Sequence, residues 1–349
     1  MTPATVSTSH EVLPTPLDYS ALSPEELVER IERRKRDLNA VILGHNYQRT
    51  EIQEVSDYLG DSLGLSQEAA STDADTIVFC GVHFMAETAK VLSPGKRVLM
   101  PDLRAGCPMA DFVTGTALRN LIDEHPDAVV VAYVNSTAEV KALADVCVTS
   151  SNAVSIVETI PRDTPILFVP DKNLADYVAE KTGRDNIIAW EGYCYVHDDM
   201  VLEELERARA KHPDAKVVVH PEARRELLEA ADFVTSTSGM VALAEEHQAL
   251  IFGTERGLVD RMKQRFPEKT MIPLSGAAIC GNMKLNTLAK LAWCLDHEAH
   301  EVVLPEEIRA GAAEALERML DLSGGWTAPT EEEAELEAAG VRPRGCGCA

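Results

Sequence analysis

No run of about 18 apolar residues occurs in this chain, so the sequence offers no transmembrane span. Residues 1–22 carry neither a basic start nor an apolar stretch, which argues against a signal peptide and leads to the expectation of a cytoplasmic protein. Positive charge is scarce: 33 Lys and Arg stand against 57 Asp and Glu, a formal net charge of −24. No basic stripe or aromatic–basic interleaving is present, so neither nucleic acid nor a membrane is an expected partner. Nucleotide signatures are missing too: there is no GxxxxGK[ST], and no GxGxxG follows a strand. The cysteines form no CxxC cluster. In a reducing compartment, eight such residues favour metal ligation or buried thiols over disulfides.

What is present is a repeat. Cys107, Cys194 and Cys280 stand 87 and 86 residues apart (107 to 194, 194 to 280), and each closes the same succession of segments. Valine-rich strands open at Val41, Val129 and Val217 at intervals of 88 residues. Small hydroxyl residues follow in GDS (60–62), VTSSN (148–152) and VTSTS (234–238). A second apolar segment and then the cysteine segment complete each unit. Continuous apolar strands alternating with helical patterns predict parallel sheets buried on both faces. The expected fold class is therefore α/β: three pseudo-threefold-related three-layer α/β/α domains, over 38–125, 126–212 and 213–300, around a central site. Ser23-Pro24-Glu25-Glu26 reads as an N-cap, a proline at N1 and an acidic first turn, predicting a leading helix over 23–37. Residues 1–22 are expected to be disordered, 301–322 helical and 323–349 a flexible tail.

Three equivalent cysteines around one axis suit a three-thiolate metal site with an open coordination position. Thiolates select iron–sulfur clusters, zinc or copper(I), and three incidental buried thiols are the bland alternative. Cys80, Cys147 and Cys294 lie in apolar text and read as core residues. Ser62, Ser150, Ser236 and Thr237 occupy corresponding strand-to-helix turns, where a hydroxyl caps a helix or meets an anion. A chain this acidic needs local positive sources for any anionic ligand: helix N-termini, histidines or a metal. Polar residues also gather just after strands: His45 and Tyr47, Tyr133 and Asn135, His220 and Glu222. In parallel α/β sheets ligands collect at these carboxyl ends. Tyr47, His220 and Glu222 are the acid–base candidates, and His197, three residues after Cys194, lies near the thiol site.

With those residues assembled, the chain resembles the quinolinate synthase family from about Ile42 to Leu288. The resemblance is carried by LGHNYQ (43–48), GDSLGLS (60–66), FCGVHFMAETAKVLSP (79–94), AGCPMAD (105–111) and YVNSTAEVKALAD (133–145). VTSSNA (148–153), PDKNLADY (170–177), GYCYVH (192–197), HPE (220–222), TSTSGM (235–240) and CGNMK (280–284) continue it. It implies a [4Fe-4S] cluster on Cys107, Cys194 and Cys280. It also implies condensation of iminoaspartate with dihydroxyacetone phosphate to quinolinate, the precursor of the NAD pyridine ring. Substrate contacts are implied at His45, Ser62, Tyr133, Asn135, Ser150, His220, Glu222 and Thr237, with Ser236, His197 and Tyr47 matching further pocket positions. The unstable imine raises the question of transient contact with an aspartate-oxidising enzyme. Some members carry CxxCxxC near the third cysteine; here Cys280 stands alone, so no redox switching is carried over. A zinc hydrolase and a pure electron carrier are the competing readings.

Overall fold

The computed structural model describes residues 15–324. Residues 1–14 and nearly all of the expected tail, including Cys346 and Cys348, lie outside the described residues. Twelve short strands form: β1 (Ala40–His45), β2 (Tyr58–Gly60), β3 (Thr76–Cys80), β4 (Arg97–Leu99), β5 (Val129–Tyr133) and β6 (Val146–Val148), then β7 (Ile166–Val169), β8 (Ile187–Ala189), β9 (Lys216–Val219), β10 (Phe233–Val234), β11 (Ala249–Gly253) and β12 (Thr270–Pro273). They make three four-stranded sheets with one shared order: β2-β1-β3-β4, β6-β5-β7-β8 and β10-β9-β11-β12. Every pairing is parallel, in agreement with the α/β expectation.

The central strands are buried along almost their whole length, as parallel strands covered by helices on both faces must be. One local device recurs three times. Asp57, Asp145 and Asp232, each just before a short edge strand, accept the backbone N–H of Ile42 (2.7 Å), Val130 (2.8 Å) and Val217 (2.9 Å). Each carboxylate satisfies a donor near the start of the neighbouring strand, where the ladder has not yet begun.

The packing of the helices departs from the sequence-based division. Helix Gly115–Glu124 belongs to the first unit by spacing, yet Leu118 joins the core of the second sheet. Leu205 of helix Leu202–Lys211 joins the core of the third sheet. Leu291, Cys294 and Leu295 of helix Leu288–His297 pack with Ile42, Val78 and Leu99 of the first. Each unit thus lends its last helix to the next sheet, and the third lends to the first, which closes a ring. Spacing counts residues along the chain and carries no information about which sheet an apolar helix face meets.

The leading helix forms over Pro24–Asp37, with Ser23 accepting from the Glu26 N–H at 3.2 Å and Glu26 returning the bond at 2.8 Å. The segment expected to be disordered through residue 22 is ordered from residue 15. Pro16–Tyr19 forms a helical turn, and the Tyr19 hydroxyl donates to Asp296 at 2.7 Å. A buried aromatic ring with a satisfied hydroxyl offsets the entropy of ordering this stretch. At the other end, helix Glu306–Leu322 buries Leu316, Met319 and Leu320 in the second core. Cys80, Cys147 and Cys294 are core residues, as their apolar contexts indicated. No helix among the described residues is long and apolar enough to cross a membrane.

Candidate active site at the strand ends

Because all strands within a sheet are parallel, the three sheets deliver their carboxyl ends in the same structural context. First strands lead to His45, Tyr133 and His220; second strands lead to Ser62 and Thr237, which open helices, and to Ser150 in a turn; loops after fourth strands carry Cys107, Cys194 and Cys280. All nine line one cavity with about 640 Å³ of empty space, part of it open to solvent. Tyr47, Asn135, His197 and Glu222 also line it. Ser236 sits behind this wall: it caps helix Thr237–Glu246 and its hydroxyl donates to Asp61 Oδ2 at 3.2 Å.

Two turns of the same design shape the wall. The Tyr47 N–H donates to His45 Nδ1 at 3.1 Å, and the Glu222 N–H donates to His220 Nδ1 at 3.3 Å. Each bond occupies the Nδ1 lone pair and so assigns the ring proton to Nε2. Burial pushes His45 down to about 4 and His220 down to about 3, with nearby carboxylates opposing the shift only in part. Both rings are neutral near pH 7 and offer an Nε2–H donor.

Glu222 is the hub of the network. Its Oε1 accepts from the Tyr133 hydroxyl at 2.6 Å and from Asn135 Nδ2 at 3.2 Å, while Oε2 lies 2.7 Å from His197 Nδ1. Burial pulls this carboxyl upward, but the His197 and Tyr133 donors facing it outweigh that and hold Glu222 below the usual carboxylate range. His197 Nε2 contacts Thr254 Oγ1 at 3.0 Å, and Thr254 Oγ1 contacts the Tyr47 hydroxyl at 2.6 Å. In the neutral tautomer that directs Nδ1–H to Glu222, Nε2 accepts from Thr254, and Thr254 in turn accepts from the Tyr47 hydroxyl. The Tyr47 phenol is held far above its ordinary pKa, chiefly by burial and then by Glu222.

The depressed histidines predict acid lability. Between about pH 6.5 and 4 the unfolded chain binds protons that folded His45 and His220 refuse. Their contribution is therefore complete above the unfolded value and lost as pH falls, at about 1.4 kcal/mol per pH unit for each ring. Thermal midpoints at pH 7 and pH 5 should show the decline, and His220→Gln should flatten it. An unchanged slope in that variant would remove His220 as a contributor.

The hydroxyls are oriented as well. Asn46 Nδ2 donates to Thr237 Oγ1 at 3.0 Å, and Arg261 Nη1 fixes that amide by donating to Asn46 Oδ1 at 3.1 Å. Thr237 accepts there, which leaves its proton for a cavity ligand. Ser62 opens helix Ser62–Ser71, capped by Asp61, which accepts the Gly64 N–H at 2.9 Å. Asn135 Oδ1 is buried at this wall with no hydrogen-bond partner among the described residues, as a ligand-facing acceptor would be.

The three cavity thiols are half-buried and raised in pKa: Cys107 to about 12, Cys194 and Cys280 upward, in each case chiefly by desolvation. Cys107 feels Cys280, and Cys194 feels both of the others. A thiol in this setting becomes a thiolate ligand when a metal replaces its proton. Ligand atoms of Cys194, His197 and Glu222 lie within 4.8 Å of one another, close enough to hold one metal ion together.

Several residues escaped sequence reading. Asp61, Thr254 and Glu255 stand at or behind the cavity wall, and Asp171 caps helix Lys172–Thr182 through the Leu174 N–H at 2.8 Å. The repeat held a usable signal: PDK after β7 and TER after β11 occupy the same place. It did not extend to the first unit, where GVH follows β3.

Comparison with known proteins places the chain in a family. Residues 29–321 fit the family model described as quinolinate synthetase A protein. A quinolinate synthase of Thermodesulfovibrio yellowstonii is 51% identical over 297 residues, covering 84% of this chain and 98% of the relative. That of Desulforudis audaxviator is 50% identical over 300 residues (85% and 99%), and that of Chloroherpeton thalassium 44% over 321 (90% and 98%). Identity at this level over nearly the whole of each relative, together with a triplicated parallel α/β frame and its cavity, means that the chain belongs to the quinolinate synthase family.

Proposed function

We propose that this protein, in the cytoplasm, condenses iminoaspartate with dihydroxyacetone phosphate to give quinolinate, phosphate and two waters, supplying the pyridine ring for NAD biosynthesis. The observation that carries this reading is the meeting of three repeat-related thiols with the Glu222 network in one cavity. Cys107, Cys194 and Cys280 are the ligands for a [4Fe-4S] cluster; with three thiolates it supplies an iron lacking a protein ligand, a Lewis acid toward a substrate carbonyl or hydroxyl.

The chain's own residues bind and move protons. Neutral His45 and His220 direct Nε2–H donors at substrate oxygens without adding charge. Ser62, Ser150 and Thr237 hold carboxylate and phosphate oxygens, with Ser236 bracing Thr237 from behind. Tyr133 and Asn135 fix orientation while keeping Glu222 ionised. The Tyr47 oxygen, whose own proton points to Thr254, presents lone pairs to a substrate C–H or O–H. A proton taken there can pass through Thr254 and His197 to Glu222, so that the carboxylate is the final acceptor. Delivery of the unstable imine by transient contact with an aspartate-oxidising enzyme fits a cavity partly open to solvent.

Anaerobically purified protein given both substrates should release quinolinate and phosphate in equal amounts. Phosphate without quinolinate, or neither product, would sink the reading. The tight Cys194–His197–Glu222 set favours one second reading, a single zinc ion serving hydrolysis; zinc without acid-labile sulfide would support it.

A further inference from the structure

Glu255 is fully buried. Its Oε1 accepts the backbone N–H of Cys280 at 3.1 Å, and its Oε2 accepts that of Gly257 at 2.6 Å. Lys284 Nζ lies 3.0 Å from Oε1 and also donates to the backbone carbonyl of Tyr47. The Arg256 N–H donates to the Ala278 carbonyl at 2.8 Å, a second tie between the turn after β11 and the cysteine loop. The close approach depends on Gly257. A Cβ there would stand 2.5 Å from Lys284 Nζ and 2.8 Å from the Gln48 carbonyl.

The second unit has a counterpart. Asp171, also fully buried and at the same place after the third strand, accepts the Leu174 N–H through Oδ1 while its Oδ2 has no hydrogen-bond partner among the described residues, and the loop before Cys194 is tied by the Lys172 N–H to the Gly192 carbonyl at 2.9 Å. The first unit lacks one: Val82 holds that position, and the loop before Cys107 is tied instead by the His83 N–H to the Ala105 carbonyl at 2.7 Å. Among the described residues the third cysteine loop is therefore the one held by a buried carboxylate, and that carboxylate carries an ion pair reaching the Tyr47 turn. A backbone-only tie could be made by any neighbouring carbonyl. A buried charge needs its partner, so its retention here implies a demand for fixed geometry.

We propose that Glu255 is a positioning residue, whose carboxylate paired with Lys284 fixes the Cys280 loop against the Tyr47 turn and so sets the third metal-binding thiolate in place. This rests on the reading of Cys280 as a cluster ligand. The carboxylate acts as an outer-shell partner of that ligand, a class whose loss typically weakens metal retention by about 10–100-fold.

The test uses full-length protein purified anaerobically, and reads the rate at which a chelator strips iron. Glu255→Ala is expected to release iron at least about tenfold faster than the wild type. Glu255→Gln should fall between the two, because its amide oxygen still accepts the Cys280 N–H while the ion pair is lost. Should the alanine variant not fold, the glutamine variant decides alone. Wild-type release from a folded Glu255 variant overturns the inference. Cys280→Ala runs alongside to separate the two claims. If that variant keeps its full iron, the ligand reading itself fails; if it loses iron while the Glu255 variants do not, only the positioning role falls.

Discussion

Replacing Cys107, Cys194 or Cys280 singly by alanine is expected to abolish quinolinate formation and strip the protein of iron and acid-labile sulfide together. The wild type should carry about four of each per chain, the stoichiometry of a cubane. The argument is geometric. The three thiols come from three different sheets and share one cavity, so no neighbouring cysteine can substitute for a missing one. Cys80, Cys147 and Cys294 are buried in the cores, Cys147 and Cys294 both pushed up to about 12 chiefly by burial. A Cys147→Ala variant should accordingly keep its iron. Elemental analysis after anaerobic purification decides the matter, and a full cluster surviving all three single substitutions would break the ligand assignment.

Glu222→Gln is expected to keep iron and sulfide at wild-type levels while kcat falls by about 10²–10⁴-fold, the range for loss of a general acid–base group. The substitution preserves shape and removes charge. All three groups facing Glu222 are donors: the Tyr133 hydroxyl, Asn135 Nδ2 and His197 Nδ1. An amide must turn its own N–H toward one of them, which leaves a buried donor facing a donor. The proton path from Tyr47 through Thr254 and His197 then ends on a group unable to accept. Turnover within about tenfold of wild type would take Glu222 off that path. Parallel loss of iron would mean instead that Glu222 supports the metal site, through its contact with His197 beside Cys194.

These two variants also mark the limits of reading by spacing. The meeting of the three cysteines in one cavity was legible because a triplication leaves a periodic trace, and residues drawn one from each repeat need only that period. Glu222 was legible as a polar residue just past a strand, but its partners were not. His197 lies 25 positions earlier and Tyr133 lies 89, in a different sheet, and nothing along the chain says that both reach the same carboxylate. Thr254 was invisible for the same reason. A threonine after a strand is ordinary until Tyr47 and His197 are seen on either side of it. Ser236 shows the opposite case, since its repeat position is equivalent to that of a cavity residue while its hydroxyl is spent on Asp61.

The sequence by itself determined the fold class, the parallel sheets, the three-unit organisation and the trio of thiols. Each of these follows from local pattern: runs of β-branched residues that must be buried on both faces, and a period that places like residues alike. Only the tertiary structure decided which helix covers which sheet, that the third unit closes on the first, and that residues 16–22 are ordered. It alone paired Glu255 with Lys284, joined Tyr47 to Glu222 through Thr254 and His197, and put the ring protons of His45 and His220 on Nε2. Those outcomes depend on distances between residues far apart in the chain and on the desolvation they share, and burial acts on a folded neighbourhood rather than on a stretch of sequence.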